Sequence, residues 1–195
     1  MKQIFLLITL LLIFMGSDIQ AQTLKVPFGK PIMLDGKFSQ DEWKDALEKP
    51  ISDNVKLYFK QSDEYLLICV RMPTRITGVV DLYVSPSNKS IINLHASAKL
   101  GERLLENGVW PEWKWWNNVD WVANVARVES FQKTEFLPED VKEIQIRRAK
   151  FSATAWQMMF EISLIAGQNI DKKILFPTST SNVKSANWLT IDLSK

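Results

Sequence analysis

Residues 55–72 read VKLYFKQSDEYLLICVRM, and the two halves of this stretch carry different hydrophobic patterns. Val55, Leu57 and Phe59 alternate with Lys56, Tyr58 and Lys60, the period-two signature of a half-buried strand. Ser62, Asp63 and Glu64 supply turn chemistry. Residues 65–72 are apolar at both parities, which predicts a central strand covered on both faces. A sheet with a doubly covered central strand needs a layer packed on each side of it.

Working outward, strand-like runs recur in both directions. Residues 23–26 read as a short first strand, and residues 79–84 and 90–96 as two more, separated by Ser85, Pro86, Ser87 and Asn88. Residues 119–131 form another run, and Leu137, Pro138, Glu139 and Asp140 break it. Residues 144–151 and 156–164 read as a hairpin, with Trp156, Met158, Phe160, Ile162 and Leu164 on one face of its second strand. Residues 174–176 and 188–193 complete the series. Strands at this spacing, with no long helical period, predict an all-β fold. The expected architecture is an antiparallel β-sandwich of jelly-roll or immunoglobulin-like type with a few short helical turns. One such turn follows Ser39, with Glu42 completing a capping box and Trp43 and Ala46 on the same side. Trp43 and Trp156 each lie in the apolar periodicity of their element and are expected in the core.

The N-terminus reads as a secretory signal: Lys2, an apolar run over residues 4–15, and Ile19-Gln20-Ala21 as a cleavage site. The apolar run falls short of the roughly 20 residues a membrane span requires, so no span is expected after cleavage. The expected division is a signal over residues 1–21 and one domain over residues 22–195, secreted or periplasmic. Cys69 is the single cysteine and excludes an intrachain disulfide. The net charge is +2, and Lys142, Arg147, Arg148 and Lys150 form the one basic cluster. It is read as a solvated face, too narrow for a nucleic-acid footprint.

Residues 108–121, GVWPEWKWWNNVDW, hold five of the eight tryptophans: Trp110, Trp113, Trp115, Trp116 and Trp121. Five indoles this close cannot all point inward, and indoles suit sugar rings, aromatic ligands and partner surfaces. In an extended segment Trp113 and Trp115 share one side. Glu112, Asn117, Asn118 and Asp120 add acceptors and amides at the edges. The plainer reading is a loop folded over an open end of the core.

Catalytic signals are sparse. His95 is the only histidine and stands without a serine or cysteine motif, which suits a hydrogen-bonded structural role. No triad, metal or phosphate motif is present.

Taken together, the chain resembles the family-9 carbohydrate-binding modules and their DOMON-like β-sandwich relatives. The resemblance rests on Leu34-Asp35-Gly36 with Glu42, Trp43 and Ala46, on the hairpin of residues 55–72, and on Trp156, Glu161 and Ile162 in a late strand. Ser163 stands where the family usually has proline. The resemblance implies that Asp81 acts as a sugar-hydroxyl acceptor and Asn93 or His95 as a strand polar contact. The family's pair of clamping tryptophans has no counterpart near residues 75–78 or in residues 177–187, unless residues 110–116 replace it. Some relatives bind haem through Met and His, for which Met72 and His95 are the available pair, although no attachment motif accompanies them. The resemblance leaves calcium open, since family members often carry it, although Asp35, Asp41 and Asp53 form no calcium loop; no other cofactor is expected.

The expected function is non-catalytic binding of a carbohydrate or glycan. The candidate site is Trp110, Glu112, Trp113, Trp115, Trp116 and Asn117 with Asp81 and Asn93. The alternative is a protein–protein interaction module of a bacterial envelope assembly, since tryptophan-rich patches also make interface hot spots.

Overall fold

In chain order the strands are β1 (Thr23–Lys25), β2 (Leu47–Ser52), β3 (Val55–Gln61), β4 (Tyr65–Arg71), β5 (Thr77–Ser85), β6 (Ile92–Ala96), β7 (Leu100–Leu104) and β8 (Lys114–Trp115). They continue as β9 (Trp121–Ala123), β10 (Arg127–Glu129), β11 (Thr134–Phe136), β12 (Val141–Arg147), β13 (Ala155–Ala166), β14 (Asn169–Phe176) and β15 (Leu189–Asp192). A single helical turn, α1, spans Gln40–Trp43. The computed structural model describes residues 22–73, 77–87, 90–115, 120–124, 127–129, 134–136, 141–166 and 169–195. The signal segment of residues 1–21, the break at residues 137–140, Trp116, Asn117 and Asn118 lie outside the described residues.

Among the described residues, one sheet has the order β2-β3-β4-β12-β9. A second runs β1-β15-β13-β5-β6-β7-β8, with β14 also on β13, and β10 pairs β11 separately. Neighbours in the two large sheets are antiparallel except for β1 beside β15. This is the expected β-sandwich. Its central layer joins Leu57, Phe59, Ile68 and Ile146 from one sheet to Leu82, Leu94, Trp156 and Phe160 from the other. Phe59 and Phe160 meet edge to face across it, ring centres 5.8 Å apart.

The doubly covered strand is β4, between β3 and β12. Leu66, Ile68 and Val70 enter the central core, while Leu67 and Cys69 enter a second cluster on the far face with Trp43, Tyr58 and Val141. That cluster also corrects the half-buried reading of β3. Tyr58 and Lys60 are buried as well, because Trp43 and Phe38 close over them. Lys60 survives there by donating to Asp45 Oδ1 at 2.9 Å and to the Glu42 carbonyl, with its ammonium 5.2 Å above the Trp43 ring. A buried ammonium needs partners of this kind.

Glu143 on β12 lies in the same layer, fully buried. Gly36 N–H donates to its Oε2 at 3.1 Å and Trp43 Nε1–H to its Oε1 at 3.3 Å. Gly36 holds this position at a φ of 76°, which favours glycine. The Asp35-Gly36 turn and Trp43 therefore dock onto one carboxylate. Burial, with Asp35 and Glu42 nearby, pushes that carboxyl up to about 7. The expected capping box does not form: Ser39 makes no side-chain cap, and Glu42 Oε1 accepts from Met33 N–H at 3.0 Å instead.

Two further expectations change. Residues 144–151 and 156–164 are not a hairpin: β12 pairs β4 and β9, whereas β13 pairs β5, β14 and β15. Phe151 is buried between them against Trp156, so the connection crosses from one sheet to the other. Nor is the basic cluster a solvated face. Lys142 is buried and donates to the Asn124 carbonyl, Arg148 ties the Ser62 and Leu193 carbonyls, and Lys150 pairs Glu102. Arg147 alone of the four is exposed. Among the described residues no helix is long and apolar enough to cross a membrane.

Candidate functional site

The outer face of the larger sheet is set by parity. Val80, Leu82, Val84, Leu94 and Leu100 point into the core, so Asp81, Tyr83, Asn93, His95, Gly101 and Arg103 point away from it. Strand register places Glu161, Asp81, His95, Gly101 and Trp115 in one row across five strands. Met159, Tyr83, Asn93 and Arg103 form the next.

The tryptophans reach this face through local chain chemistry. Asn107 and Gly108 adopt φ of 52° and 78°, the pair of left-handed residues a tight hairpin turn demands. Glu106 and Val109 close the turn by exchanging backbone hydrogen bonds of 3.1 and 2.9 Å. Trp110 follows and packs on Tyr83, ring centres 5.5 Å apart. Tyr83 in turn packs on the fully buried Trp188, whose Nε1 donates to the Ser181 carbonyl. Burial pushes the Tyr83 hydroxyl up to about 12, so it stays neutral.

Trp113 and Trp115 stack at 6.1 Å with an interplanar angle of 26°, on one side as predicted. Gly101 lies beneath both indoles. Their exposures differ. Trp115 is 53% exposed, whereas Trp113 is half-buried, with His95 5.0 Å away and the Arg103 guanidinium 3.9 Å from its ring centre. The guanidinium is also 4.9 Å from Trp110. Trp121 turns inward and is buried in the core, with Nε1 donating to Glu102.

His95 is fixed at both ring nitrogens, by Asp81 Oδ1 on Nδ1 and Ser97 Oγ on Nε2, each at 2.9 Å. The order Asp81–His95–Ser97 has the connectivity of a hydrolase triad. However, Ser97 Oγ also bonds Lys99 O at 3.0 Å and Lys99 N–H at 3.1 Å, so the hydroxyl closes its own turn. The chain of bonds orients Asp81 and His95 under the indoles.

Of the sequence-predicted residues, Asp81, Asn93, Trp110, Trp113 and Trp115 come together on this face. Glu112 is exposed between Trp110 and Trp113 in sequence, and Trp116 and Asn117 lie outside the described residues. Strand β7 and its Arg103 were missed, because Gly101, Glu102 and Arg103 interrupt the apolar alternation of Leu100 and Leu104. Asn93 is fully buried, and among the described residues both polar atoms of its amide lack a hydrogen-bond partner. Trp110 Nε1 and Arg103 Nε share that condition. Beyond Trp110, a groove of about 700 Å³ is lined by residues including Ile91, Leu105, Gly108, Gln157 and Lys184. Met72 is in the core while His95 is on the outer face, so the sheet divides the one Met–His pair considered for haem. Among the described residues no three His, Cys, Asp or Glu side chains converge to hold a metal ion.

The same architecture occurs in solved structures. A family-9 carbohydrate-binding module from Caldicellulosiruptor kristjanssonii in complex with glucose superposes with a TM-score of 0.55 at 12% identity, over 89% of this chain and 96% of that one. The fold is family-9-like. Its complex with cellotriose gives a TM-score of 0.53 at 12% identity, over 88% and 93%. A Bacteroides uniformis protein suspected to bind carbohydrate gives 0.55 at 9% identity, over 89% and 99%. No family model and no curated protein sequence matches the chain. At these identities the likeness fixes the family-9-like fold and leaves the ligand to the side chains.

Proposed function

We propose that the chain is a secreted or periplasmic, non-catalytic carbohydrate-binding protein, and that the outer face of its larger sheet is the binding surface. One observation carries the reading. Trp115, 53% exposed, stands in the same cross-strand row as the hydrogen-bonded Asp81–His95 pair. A sugar ring needs that combination: a flat apolar surface for its C–H face and oriented polar groups for its hydroxyls. Asp81 serves as acceptor, and Trp113, held between Arg103 and Trp115, braces the platform. The groove past Trp110 gives a chain of sugars room to continue along the same face. The fold, shared with modules solved in complex with cellotriose and glucose, supports the assignment.

Intrinsic fluorescence tests it. Exposed indole emission should be quenched by acrylamide and protected by a saturating glycan chosen from an array, and Trp115→Ala should abolish the protection. Absence of binding across neutral and acidic polysaccharides, with capture of an envelope protein on the same face, would replace this reading by a protein-docking one.

A further inference from the structure

The charges of the outer face are unequally satisfied. Asp81 is engaged by His95 at 2.9 Å, and Glu161 by Lys173 Nζ at 2.5 Å. The cation among the indoles has no such partner. Among the described residues Arg103 makes no ion pair and its buried Nε has no acceptor; its guanidinium carbon lies 4.9 Å from the Trp110 ring centre and 3.9 Å from that of Trp113. Directly opposite on β6 stands Asn93, fully buried, with its amide nitrogen and oxygen both unpartnered among the described residues. Trp110 Nε1, on the indole beside Arg103, is a third donor without an acceptor among the described residues. Lys99 adds a second positive charge 5.4 Å from the Trp115 ring.

Unmet donors, one of them a planar cation, are thus stacked at one place. Buried donors without acceptors are costly, and a guanidinium matches the two oxygens of a carboxylate better than any other common group. A guanidinium held against aromatic faces can still donate from its terminal nitrogens. A neutral hexose offers hydroxyls to such a fork; a uronic acid offers a carboxylate with matching shape and charge. We infer that this surface selects acidic glycans, with Arg103 receiving the carboxylate of a uronate residue beside the one that stacks on Trp115. The inference rests on the carbohydrate reading and adds the chemical class of the sugar.

The test compares polygalacturonate with its methyl ester and with cellotriose at one moderate ionic strength, by calorimetry or affinity electrophoresis. The ester keeps the sugar and removes the charge. Polygalacturonate should bind on the order of tenfold more tightly than its ester, the scale of a lost charge-assisted hydrogen bond. Arg103→Gln should bring the ratio close to one, and Arg103→Lys should recover little of it, because an ammonium keeps the charge without the planar fork. The ester comparison needs no variant and so stands even if Arg103→Gln folds poorly. Equal binding of polygalacturonate and ester overturns the uronate assignment and leaves carbohydrate binding intact. Polyglutamate or dextran sulfate binding as tightly as polygalacturonate also overturns it, since charge without the sugar carboxylate would then suffice. Failure to bind any of these three overturns the uronate assignment alone, and failure across the whole glycan array overturns both readings.

Discussion

A Cβ built on Gly101 would stand 3.1 Å from Cε3 of Trp113 and 3.3 Å from the same atom of Trp115. Both indoles rest on the bare backbone of β7, in the row that also contains His95. That spacing is tighter than an ordinary carbon contact, so an added methyl requires the indoles to shift by a few tenths of an ångström. Gly101→Val adds two carbons beyond that methyl. It should lift the indoles, red-shift their emission, weaken glycan binding and lower the melting temperature modestly, because Trp113 gives up part of its packing. An unaltered emission spectrum in Gly101→Val would show that the indoles do not lie on the strand.

The tryptophans should separate into two classes by mutation. Trp43 and Trp156 are 1% and 0% exposed, so Trp43→Ala and Trp156→Ala should each destabilise by about 3–5 kcal/mol through lost burial and the cavity left behind. Trp115→Ala leaves no cavity and should stay within about 0.5 kcal/mol of the parent while abolishing binding. Trp113→Ala belongs between them, because Arg103, His95 and Trp115 all pack on that ring. Urea melts of the four variants check the order, and a Trp115→Ala variant as unstable as Trp156→Ala would remove the platform.

Glu143 should make the fold less stable as pH rises. Its folded pKa is about 7, above its ordinary value of 4.5. In that interval the native state binds a proton that the unfolded chain has lost. The stabilisation is therefore fully present below pH 4.5 and lost as pH rises through about 7. Melting temperatures of the parent and Glu143→Gln at pH 5 and pH 8 read this directly. The parent should lose more stability than the variant between the two, and parallel pH profiles would place the titration elsewhere.

Cys69 is fully buried, and burial pushes its thiol well above its ordinary range. In the native protein it should not react with Ellman's reagent at pH 8, and one thiol should appear on unfolding in urea. Rapid native labelling would contradict the covered outer face of β4.

The sequence by itself determined the sandwich. Period-two alternation in β3, apolar residues at both parities in β4 and the turn chemistry between them are local properties, and local sterics and burial are enough to convert them into strands. It also determined that some of residues 108–121 must face outward, and that Trp43 and Trp156 face inward, since these follow from periodicity and indole volume. The pairing of strands was decided only in three dimensions. β12 and β13 are close in sequence and lie in different sheets, because each buries its apolar row against the opposite layer. The composition of the site was decided there too. Asp81, Asn93, His95 and Arg103 are separated along the chain and meet through register between β5, β6 and β7, while Trp121 leaves its neighbours for the core. Register is a long-range property: a one-residue slip would send each of these side chains to the other face, and nothing local to any one strand records which neighbour it will meet.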